Sequence, residues 1–366
     1  MKKSKILFVP SQTPDYLEDI VFHGLVKLLG RQNVVDYPLK RAYHYNEGMT
    51  LTYDKQIKFT QTADPKLAPF LLFDDRDGQN NFNLDVDYDD FDGVVIGSLR
   101  YDVIKTVYEV LSKFPKETVV FLDGEDDPFI RLIYFKNIRT YFKREKLIND
   151  KRGYGYLVSY IERQAIRMVR YFNDFARHPI QLPILPTFAL KNVKPLPYGI
   201  IDIEFELEKE KAYDFCFIAG FSRFSKYRVD VYNFLLDYAK KNKLNAFIAG
   251  RGLSWHEYMK IVSQSKISIS VRGEGSDTYR YWEIPYAGSM LLSDLPVIEI
   301  PNNFVETESA VFFTNIKELK DKLDFYLKND ECLEIAKNGR KHLLKYHTSV
   351  QRAETVLKEL NYLNNK

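Results

Sequence analysis

The chain has 366 residues, of which 45% are apolar and 28% are charged. These proportions are typical of a soluble globular protein and exclude a disordered or fibrous chain. Fifty-three Lys and Arg against 50 Asp and Glu leave a formal net charge of +3, which is too small for a protein whose main task is to coat a polyanion. The length predicts two domains.

Cys216 and Cys332 are the only cysteines, which excludes a disulfide framework and a cysteine-rich zinc site. No apolar run approaches the roughly 18 to 20 residues that a membrane-spanning helix needs. Residues 1–5 do not lead into the apolar core of a signal peptide. We therefore expect a cytoplasmic protein with no transmembrane segment.

In the first half of the chain, short apolar runs alternate with segments of helical spacing. The predicted strands are residues 5–10, 34–38, 93–98 and 118–123. Helical spacing predicts helices over 17–29 and about 102–114, whereas residues 40–90 are polar and predict an irregular insertion. Alternation of strand and helix favours a parallel sheet with right-handed crossovers.

The middle of the chain carries weaker signals. Residues 139–145 and 182–188 fit no regular element, and the prolines at 183, 186, 195 and 197 predict a hinge between domains.

Beyond residue 212 the alternation returns. The predicted strands are residues 214–220, 245–250, 266–271 and 289–292. The predicted helices are residues 227–240, 255–263, 279–287, 316–327, 331–346 and 349–363. We predict an α/β protein with two Rossmann-like domains facing a central cleft, at 1–198 and 199–345. A C-terminal helix within 346–366 returns to the N-terminal domain.

The densest group of chemically useful residues lies between 272 and 288. It follows a predicted strand and opens a predicted helix, so backbone N–H groups near Gly273 can face an anion. Arg272 and Arg280 add guanidinium groups suited to phosphate oxygens. The Glu283 carboxylate can accept hydrogen bonds from both ribose hydroxyls of a nucleotide. The structural alternative is a charged helix start with an Arg280–Glu283 pair.

The spacing of Arg272, Arg280, Glu283 and Gly288 resembles the R-x-x-E-x4-G signature of exostosin-type and CgeB-like glycosyltransferases. The resemblance covers about residues 212–360 and implies a GT-B fold with a nucleotide-sugar donor site at these residues and Gly273. It implies transfer of a sugar from a nucleotide-diphosphate sugar to an acceptor hydroxyl. Retaining relatives have an E-x7-E pair, but here Gly275 stands at the first position, which leaves the stereochemistry open.

Two basic positions extend the same resemblance. Arg223 and Lys226 follow the first strand of the second domain, where related GT-B enzymes hold the donor diphosphate. Arg251 closes the next strand and can approach the nucleotide base. The alternative is an ordinary basic loop. Because metal ligands are not apparent, the resemblance implies a metal-independent reaction without a cofactor, in which these cations neutralise the leaving diphosphate.

Asp15 and Asp126 are the candidate catalytic bases, because each follows a predicted strand of the first domain. The alternatives are that Asp15 caps its helix and that Asp126 belongs to a solvated acidic turn. Lys143 and Arg144 are either a sugar or phosphate contact or part of an aromatic and basic surface strip.

The acceptor stays open among a glycan, a lipid-linked glycan, a protein and a modified nucleic acid. The D-x-D triplets at 75–77 and 85–87 are common in an Asp-rich segment, so we predict no metal site there. No G-x-G-x-x-G follows the first strand, which disfavours an oxidoreductase. The remaining alternatives are a nucleotide-sugar epimerase and a non-catalytic nucleotide-sugar-binding protein.

Overall fold

The structure is a computed structural model that divides into two compact units. The first unit contains residues 1–197 and 349–366, and the second contains residues 198–348. The sequence predicted boundaries after residues 198 and 345. The described residues are 5–11, 13, 15–40, 43–45, 73–74, 86–97, 99–100, 102–162, 179–190, 192–221, 226–250 and 252–360.

The elements are numbered along the chain. The strands are β1 (Ile6–Val9), β2 (Val34–Asp36), β3 (His44–Tyr45), β4 (Phe73–Asp74), β5 (Gly93–Ile96), β6 (Val119–Asp123), β7 (Phe129–Arg131), β8 (Thr140–Lys143), β9 (Pro183–Pro186), β10 (Val193–Pro195), β11 (Tyr213–Ile218), β12 (Ala246–Ala249), β13 (Ser265–Ser270), β14 (Met290–Asp294) and β15 (Val311–Phe313). The helices are α1 (Tyr16–Leu29), α2 (Ile104–Lys113), α3 (described over 151–162), α4 (Lys226–Asn242), α5 (Trp255–Ser263), α6 (Tyr279–Tyr286), α7 (Ile316–Tyr326), α8 (Glu331–Tyr346) and α9 (Ser349–Glu359).

A parallel sheet of order β10-β8-β6-β5-β1-β2 forms the centre of the first unit. Its inner strands are continuous apolar runs because helices cover both faces of such a sheet. All four residues of β1 are fully buried, and Ile6 pairs with Val34 on one side and Gly93 on the other. The sheet places the loops after β1, β5, β6 and β8 along one carboxyl edge.

The last helix of the chain belongs to the first unit, where α9 packs against α1. The two helices touch at Gly24, where a Cβ atom would overlap the Ser349 carbonyl oxygen and lie 2.8 Å from the Ala353 Cβ. His23 Nδ1 lies 2.9 Å from the Ser349 Oγ. The close contact explains why a glycine occupies the middle of α1, and it agrees with the predicted return of the last helix.

Two expectations for the middle of the chain need correction, and a third lies mostly outside the described residues. Residues 139–145, left unassigned, contain β8, which pairs with β6 and β10 inside the main sheet. Pro183, Pro186 and Pro195 lie within strands of the first unit instead of in a hinge, and β9 pairs antiparallel with β7. Most of the predicted insertion at 40–90 lies outside the described residues.

The second unit contains a parallel sheet of order β12-β11-β13-β14-β15. Its core includes Phe215, Ile267 and Leu292, which are buried on the central strands. Helices α5 and α6 run from the carboxyl edge of this sheet back towards its amino edge, since each follows one strand and precedes the next. The first turns of α5 and α6 therefore lie at the carboxyl edge, where open α/β sheets bind ligands.

None of the helices in the described part of the chain combines the length and apolar character that crossing a bilayer requires.

Candidate functional site

The loop between β13 and α6 is anchored by Asp277. This buried carboxylate accepts hydrogen bonds from the Tyr198 backbone N–H at 2.6 Å and from the Trp282 indole Nε1 at 2.8 Å. Within the loop, the Gly273 N–H donates to the Gly275 carbonyl at 3.0 Å. The loop that precedes α6 is thus held in a defined conformation at the carboxyl edge of the second sheet.

Arg272 begins this loop and is oriented by Asp294 at the end of β14. The Arg272 N–H donates to Asp294 Oδ1 at 2.9 Å, and its Nε lies 3.4 Å from Oδ2. The guanidinium carbon lies 5.3 Å from the centre of the Tyr227 ring, which adds a cation–π contact. Burial raises the pKa of Asp294 to about 6 although Arg272 opposes the shift. The Arg272 side chain is still 32% exposed, so its guanidinium is positioned yet accessible.

Arg228 links this loop to the loop after β11. Its Nη1 donates to the Gly220 carbonyl at 2.8 Å, and its Nη2 donates to the Val271 carbonyl at 3.0 Å. A Cβ atom on Gly273 would lie 2.8 Å from the same Nη2. A side chain at position 273 would therefore displace the Arg228 guanidinium, a contact that the motif did not reveal.

Glu283 lies one turn inside α6 and is half-buried. The Trp255 indole, at the start of α5, donates from Nε1 to Glu283 Oε1 at 3.1 Å. Burial raises the pKa of Glu283, while Arg280 and the Trp255 N–H act in the opposite direction. Burial also raises the pKa of the Tyr258 hydroxyl, and the nearby charge of Glu283 adds to the effect.

The Arg280–Glu283 ion pair of the structural alternative is not formed, as far as the described residues show. Their charges still interact, because Arg280 lowers the pKa of Glu283. The Arg280 Nε is buried and has no hydrogen-bond partner among the described groups. Since buried polar groups are rarely left unsatisfied, this guanidinium has bonding capacity for a ligand.

Gly288 lies just beyond the C-terminal end of α6. At 1.5 Å per residue, it is about 12 Å from Arg280 along the helix axis. It adopts φ +72°, a backbone conformation that favours glycine, and its N–H donates to the Pro285 carbonyl at 3.0 Å. The Lys211 Nζ donates to its carbonyl at 2.7 Å. Gly288 therefore ends the helix at the amino edge of the sheet, away from the other donor-site residues.

The basic loop before α4 is only partly described. Lys226 is the first residue of α4, and its 87% exposed side chain forms an ion pair with Asp230 at 2.8 Å. Arg223 and Arg251 lie outside the described residues. The predicted diphosphate contact of these three residues stays a prediction.

In the first unit, Asp15 caps α1, as the structural alternative predicted. Its Oδ1 accepts hydrogen bonds from the N–H groups of Leu17 at 3.0 Å and Glu18 at 3.3 Å. A Cβ atom on Gly124, directly after β6, would lie 2.6 Å from the same oxygen. Burial raises the pKa of Asp15, although Arg100 and Lys40 oppose the shift.

Asp126 is 59% exposed and forms an ion pair with Arg144, which is itself buried. The neighbouring Lys143 is also fully buried, and its Nζ lies 2.8 Å from Asp123 Oδ1. The surface-strip alternative for Lys143 and Arg144 is therefore wrong. Both cations form ion pairs with carboxylates from an earlier part of the chain.

A second buried ionic cluster lies beside Asp15 and was not predicted. The Lys40 Nζ lies 2.8 Å from Asp19 Oδ1 and 3.0 Å from Glu18 Oε2, and all three side chains are buried. One cation thus faces two carboxyl groups in a place that water does not reach. Burial raises the pKa of Glu18 to about 8, although the charge of Lys40 opposes the shift.

Metal coordination finds no support in the part of the chain that the structure describes. No cluster of three or more His, Cys, Asp or Glu side chains there has the arrangement of a metal site. The first D-x-D triplet and Asp85 of the second lie outside the described residues.

Comparison with known proteins adds a fold and a match to a family model over part of the chain. Residues 228–358 match the family model described as glycosyl transferase-like. No curated protein matches the chain by sequence. Among solved structures, HepE from Anabaena in complex with UDP-glucose is 10% identical with a TM-score of 0.53, and the alignment covers 98% of this chain and 99% of HepE.

Two further solved structures resemble the chain. An alpha-glucosyltransferase (AGT) in complex with UDP is 7% identical with a TM-score of 0.52, over 98% of this chain and 99% of the enzyme. TarM is 13% identical with a TM-score of 0.40, over 70% of this chain and 57% of TarM. This chain thus spans less than two thirds of the length of TarM.

The chain has the GT-B fold of glycosyltransferases, with two Rossmann-like units. Within that fold, most of the second unit, together with α9, lies in the segment that matches the glycosyl transferase-like family. These findings confirm the predicted fold class. The exostosin-type or CgeB-like assignment stays a prediction.

Proposed function

We propose that this protein transfers a sugar from a nucleotide-diphosphate sugar to an acceptor hydroxyl without a bound metal ion. One observation carries the proposal: Arg272, Arg280 and Glu283 lie together at the carboxyl edge of a parallel sheet. The segment that contains them matches a glycosyl transferase-like family. The site combines two guanidinium groups with a carboxylate, which is the set of groups that a nucleotide diphosphate needs.

On this proposal, the donor is bound through its diphosphate and through its ribose. Arg272, held by Asp294, and Arg280, with its unsatisfied buried Nε, bind the diphosphate oxygens. Glu283 accepts hydrogen bonds from the ribose hydroxyls. Preorganised cations stabilise the negative charge that develops on the leaving diphosphate, which is why the reaction proceeds without a metal ion.

In the transfer step, the acceptor oxygen bonds to the anomeric carbon and the bond from that carbon to the diphosphate oxygen breaks. The acceptor proton passes to a base, and we propose Asp15 for this role. Burial raises its pKa, which makes its carboxylate a stronger proton acceptor than an exposed one. Asp126 suits the role less well, because it is exposed and its charge is engaged by Arg144.

The solved neighbours AGT and HepE carry UDP and UDP-glucose, so a uridine nucleotide is the first donor to test. The acceptor is a hydroxyl of a glycan, a lipid-linked glycan, a protein or a modified nucleic acid. The candidate site lies in a GT-B fold. We propose that the protein acts in the cytoplasm.

A thermal-shift panel of UDP, GDP, ADP, CMP and dTDP sugars tests donor binding. A ligand at 100 times its dissociation constant stabilises the folded state by about 2.7 kcal/mol, which raises the melting temperature measurably. We expect one nucleotide class to give this shift. A panel without any shift contradicts the proposal.

Turnover with the preferred donor then separates the enzyme from its alternatives. We expect sugar transfer to an acceptor hydroxyl that persists in EDTA. Loss of activity in EDTA, restored by magnesium or manganese, contradicts metal independence. Release of an epimerised free sugar without an acceptor indicates an epimerase, and binding without any turnover indicates a non-catalytic binding protein.

A further inference from the structure

One hydrogen bond joins the start of α5 to the first turns of α6: the Trp255 Nε1 donates to Glu283 Oε1 at 3.1 Å. We propose that Trp255 positions the Glu283 carboxylate for the ribose of the nucleotide. This inference rests on the proposed function. Trp255 is a positioning residue, because it acts on the nucleotide through Glu283.

The indole is itself held by its surroundings. Ser254 caps α5 by accepting a hydrogen bond from the Glu257 N–H at 3.2 Å, and its own N–H donates to Glu257 Oε2 at 2.8 Å. This reciprocal arrangement fixes the start of the helix. The Phe205 ring packs edge-on against the indole, with ring centres 6.3 Å apart and an interplanar angle of 72°. The direction of the indole N–H is therefore set before any ligand binds.

The hydrogen bond leaves Glu283 able to bind a ligand. An ionised carboxylate offers about four acceptor positions on its two oxygens, of which the Trp255 indole and the Tyr258 hydroxyl occupy at most two. Trp255 thus fixes the orientation of the carboxylate and leaves acceptor positions for two ribose hydroxyls. Glu283 as a whole residue keeps part of its surface exposed.

The same contact favours the charged form of Glu283. Among the described residues, the titratable groups that act on Glu283 are Arg280 on α6 and Tyr258 on α5. Burial raises the pKa of Glu283, and the Trp255 N–H lowers it by stabilising the carboxylate. Removing this N–H therefore raises the pH at which the carboxylate becomes charged and able to accept from ribose.

Tryptophan fluorescence tests the contact without a ligand, because the chain contains only two tryptophans, Trp255 and Trp282. We expect the wild-type emission to change with pH as Glu283 titrates. This step should be absent from Glu283→Gln, which has no titrating carboxyl group, and from Trp255→Phe, which retains only Trp282. A wild-type protein without the step, or a step that persists in Glu283→Gln, overturns the proposal.

Calorimetric titration with UDP tests the role in binding. We expect Trp255→Phe to weaken UDP binding about 5- to 12-fold at mildly acidic pH, within the range of one typical net hydrogen bond. The difference should shrink as the pH is raised and the carboxylate becomes charged in both proteins. In a Glu283→Gln background the same substitution should change the affinity by less than about twofold, because the two residues act as one unit. His256→Gln, at the exposed neighbouring position, is the control and should leave affinity and pH profile unchanged.

The outcomes separate this inference from the proposed function. Equal loss of affinity in both backgrounds, or no loss at all, overturns the positioning role while nucleotide binding stands. If the wild-type protein binds neither UDP nor any other nucleotide of the panel, the proposed function fails. The ribose role of Trp255 then fails with it, even where the fluorescence step is present.

Discussion

Charged side chains near the carboxyl edges of the two parallel sheets differ in how far they are buried and how they are paired. In the first unit, Lys40 and Lys143 are fully buried, and each is met by carboxylates of the same unit at 2.8 to 3.0 Å. In the second unit, Arg272 and Glu283 are half-buried, and neighbouring side chains orient each of them without complete enclosure. Enclosed charges with matched partners stabilise the unit, whereas oriented charges that keep accessible surface are suited to bind a charged ligand.

The largest effect that this comparison predicts follows from Lys40→Met. The change leaves the carboxyl groups of Glu18 and Asp19 buried without their cation. Removing one partner of a buried ion pair costs about 3 to 5 kcal/mol of the free energy of unfolding. Urea denaturation measures the loss, with Lys226→Met as the matched control. Because Lys226 is 87% exposed, its loss should leave stability unchanged within error.

Equal stability losses for Lys40→Met and Lys226→Met would break the comparison. Such a result would mean that the cluster around Lys40 is hydrated in solution.

In the second unit, Glu283→Gln should weaken binding of the preferred nucleotide by about 1.5 to 3 kcal/mol, because a charged acceptor becomes a neutral amide. The protein should remain folded with nearly the same melting temperature. Calorimetric titration measures the affinity, and Glu334→Gln, at a side chain that is 66% exposed, serves as the control. Equal affinities of wild type and Glu283→Gln would remove this residue from the donor site.

The enclosure of the first unit also depends on its last helix. Gly24→Ala forces a methyl group against the Ser349 carbonyl and should lower the free energy of unfolding by about 1 to 3 kcal/mol. Gly155→Ala is the matched control, because nothing lies within 4 Å of its Cβ position on α3. It should be neutral or stabilise the helix by up to about 1 kcal/mol. Similar values for both variants would contradict the packing of α9 on α1.

The smallest expected effect concerns the proton on Glu18. Its folded-state pKa is raised to about 8 from 4.5, so the folded protein binds more protons than the unfolded chain between these pH values. Its contribution to stability therefore falls as pH rises through this window. Glu18→Gln mimics the protonated form and should change stability at pH 6 by less than about 1 kcal/mol. Relative to wild type, the variant should gain stability from pH 6 to pH 9, and a difference independent of pH would contradict the assignment.

Much of the fold follows from the sequence because local patterns carry it. The apolar run at β1, the helical spacing of α1 and the glycine after it are each visible within a few residues. Strand β8 escaped prediction because Lys143 ends it and Arg144 follows, and charged residues indicate a surface. Their burial depends on Asp123 and Asp126, whose pairing with them is set by the sheet and not by local sequence.

The candidate site could also be predicted from the sequence only in part. The spacing of Arg272, Arg280 and Glu283 relative to a strand end could be seen in the sequence, because one helix start carries it. The Trp255 contact could not, since 28 residues separate the indole from Glu283 and only the packing of two helices joins them. Arg228 was missed for a similar reason, because its partners are backbone carbonyls that leave no mark on the sequence.

The packing of α9 on α1 has a consequence for synthesis on the ribosome. The first unit is split in sequence, so residues 1–197 emerge long before the helix that covers Gly24 has been translated. At about 5 to 20 residues per second, roughly 10 to 30 s pass before α9 appears. During that interval the second unit can complete its own core, while the face of α1 around Gly24 is exposed to solvent and to other nascent chains. The domain that is made first is therefore the one that finishes folding last.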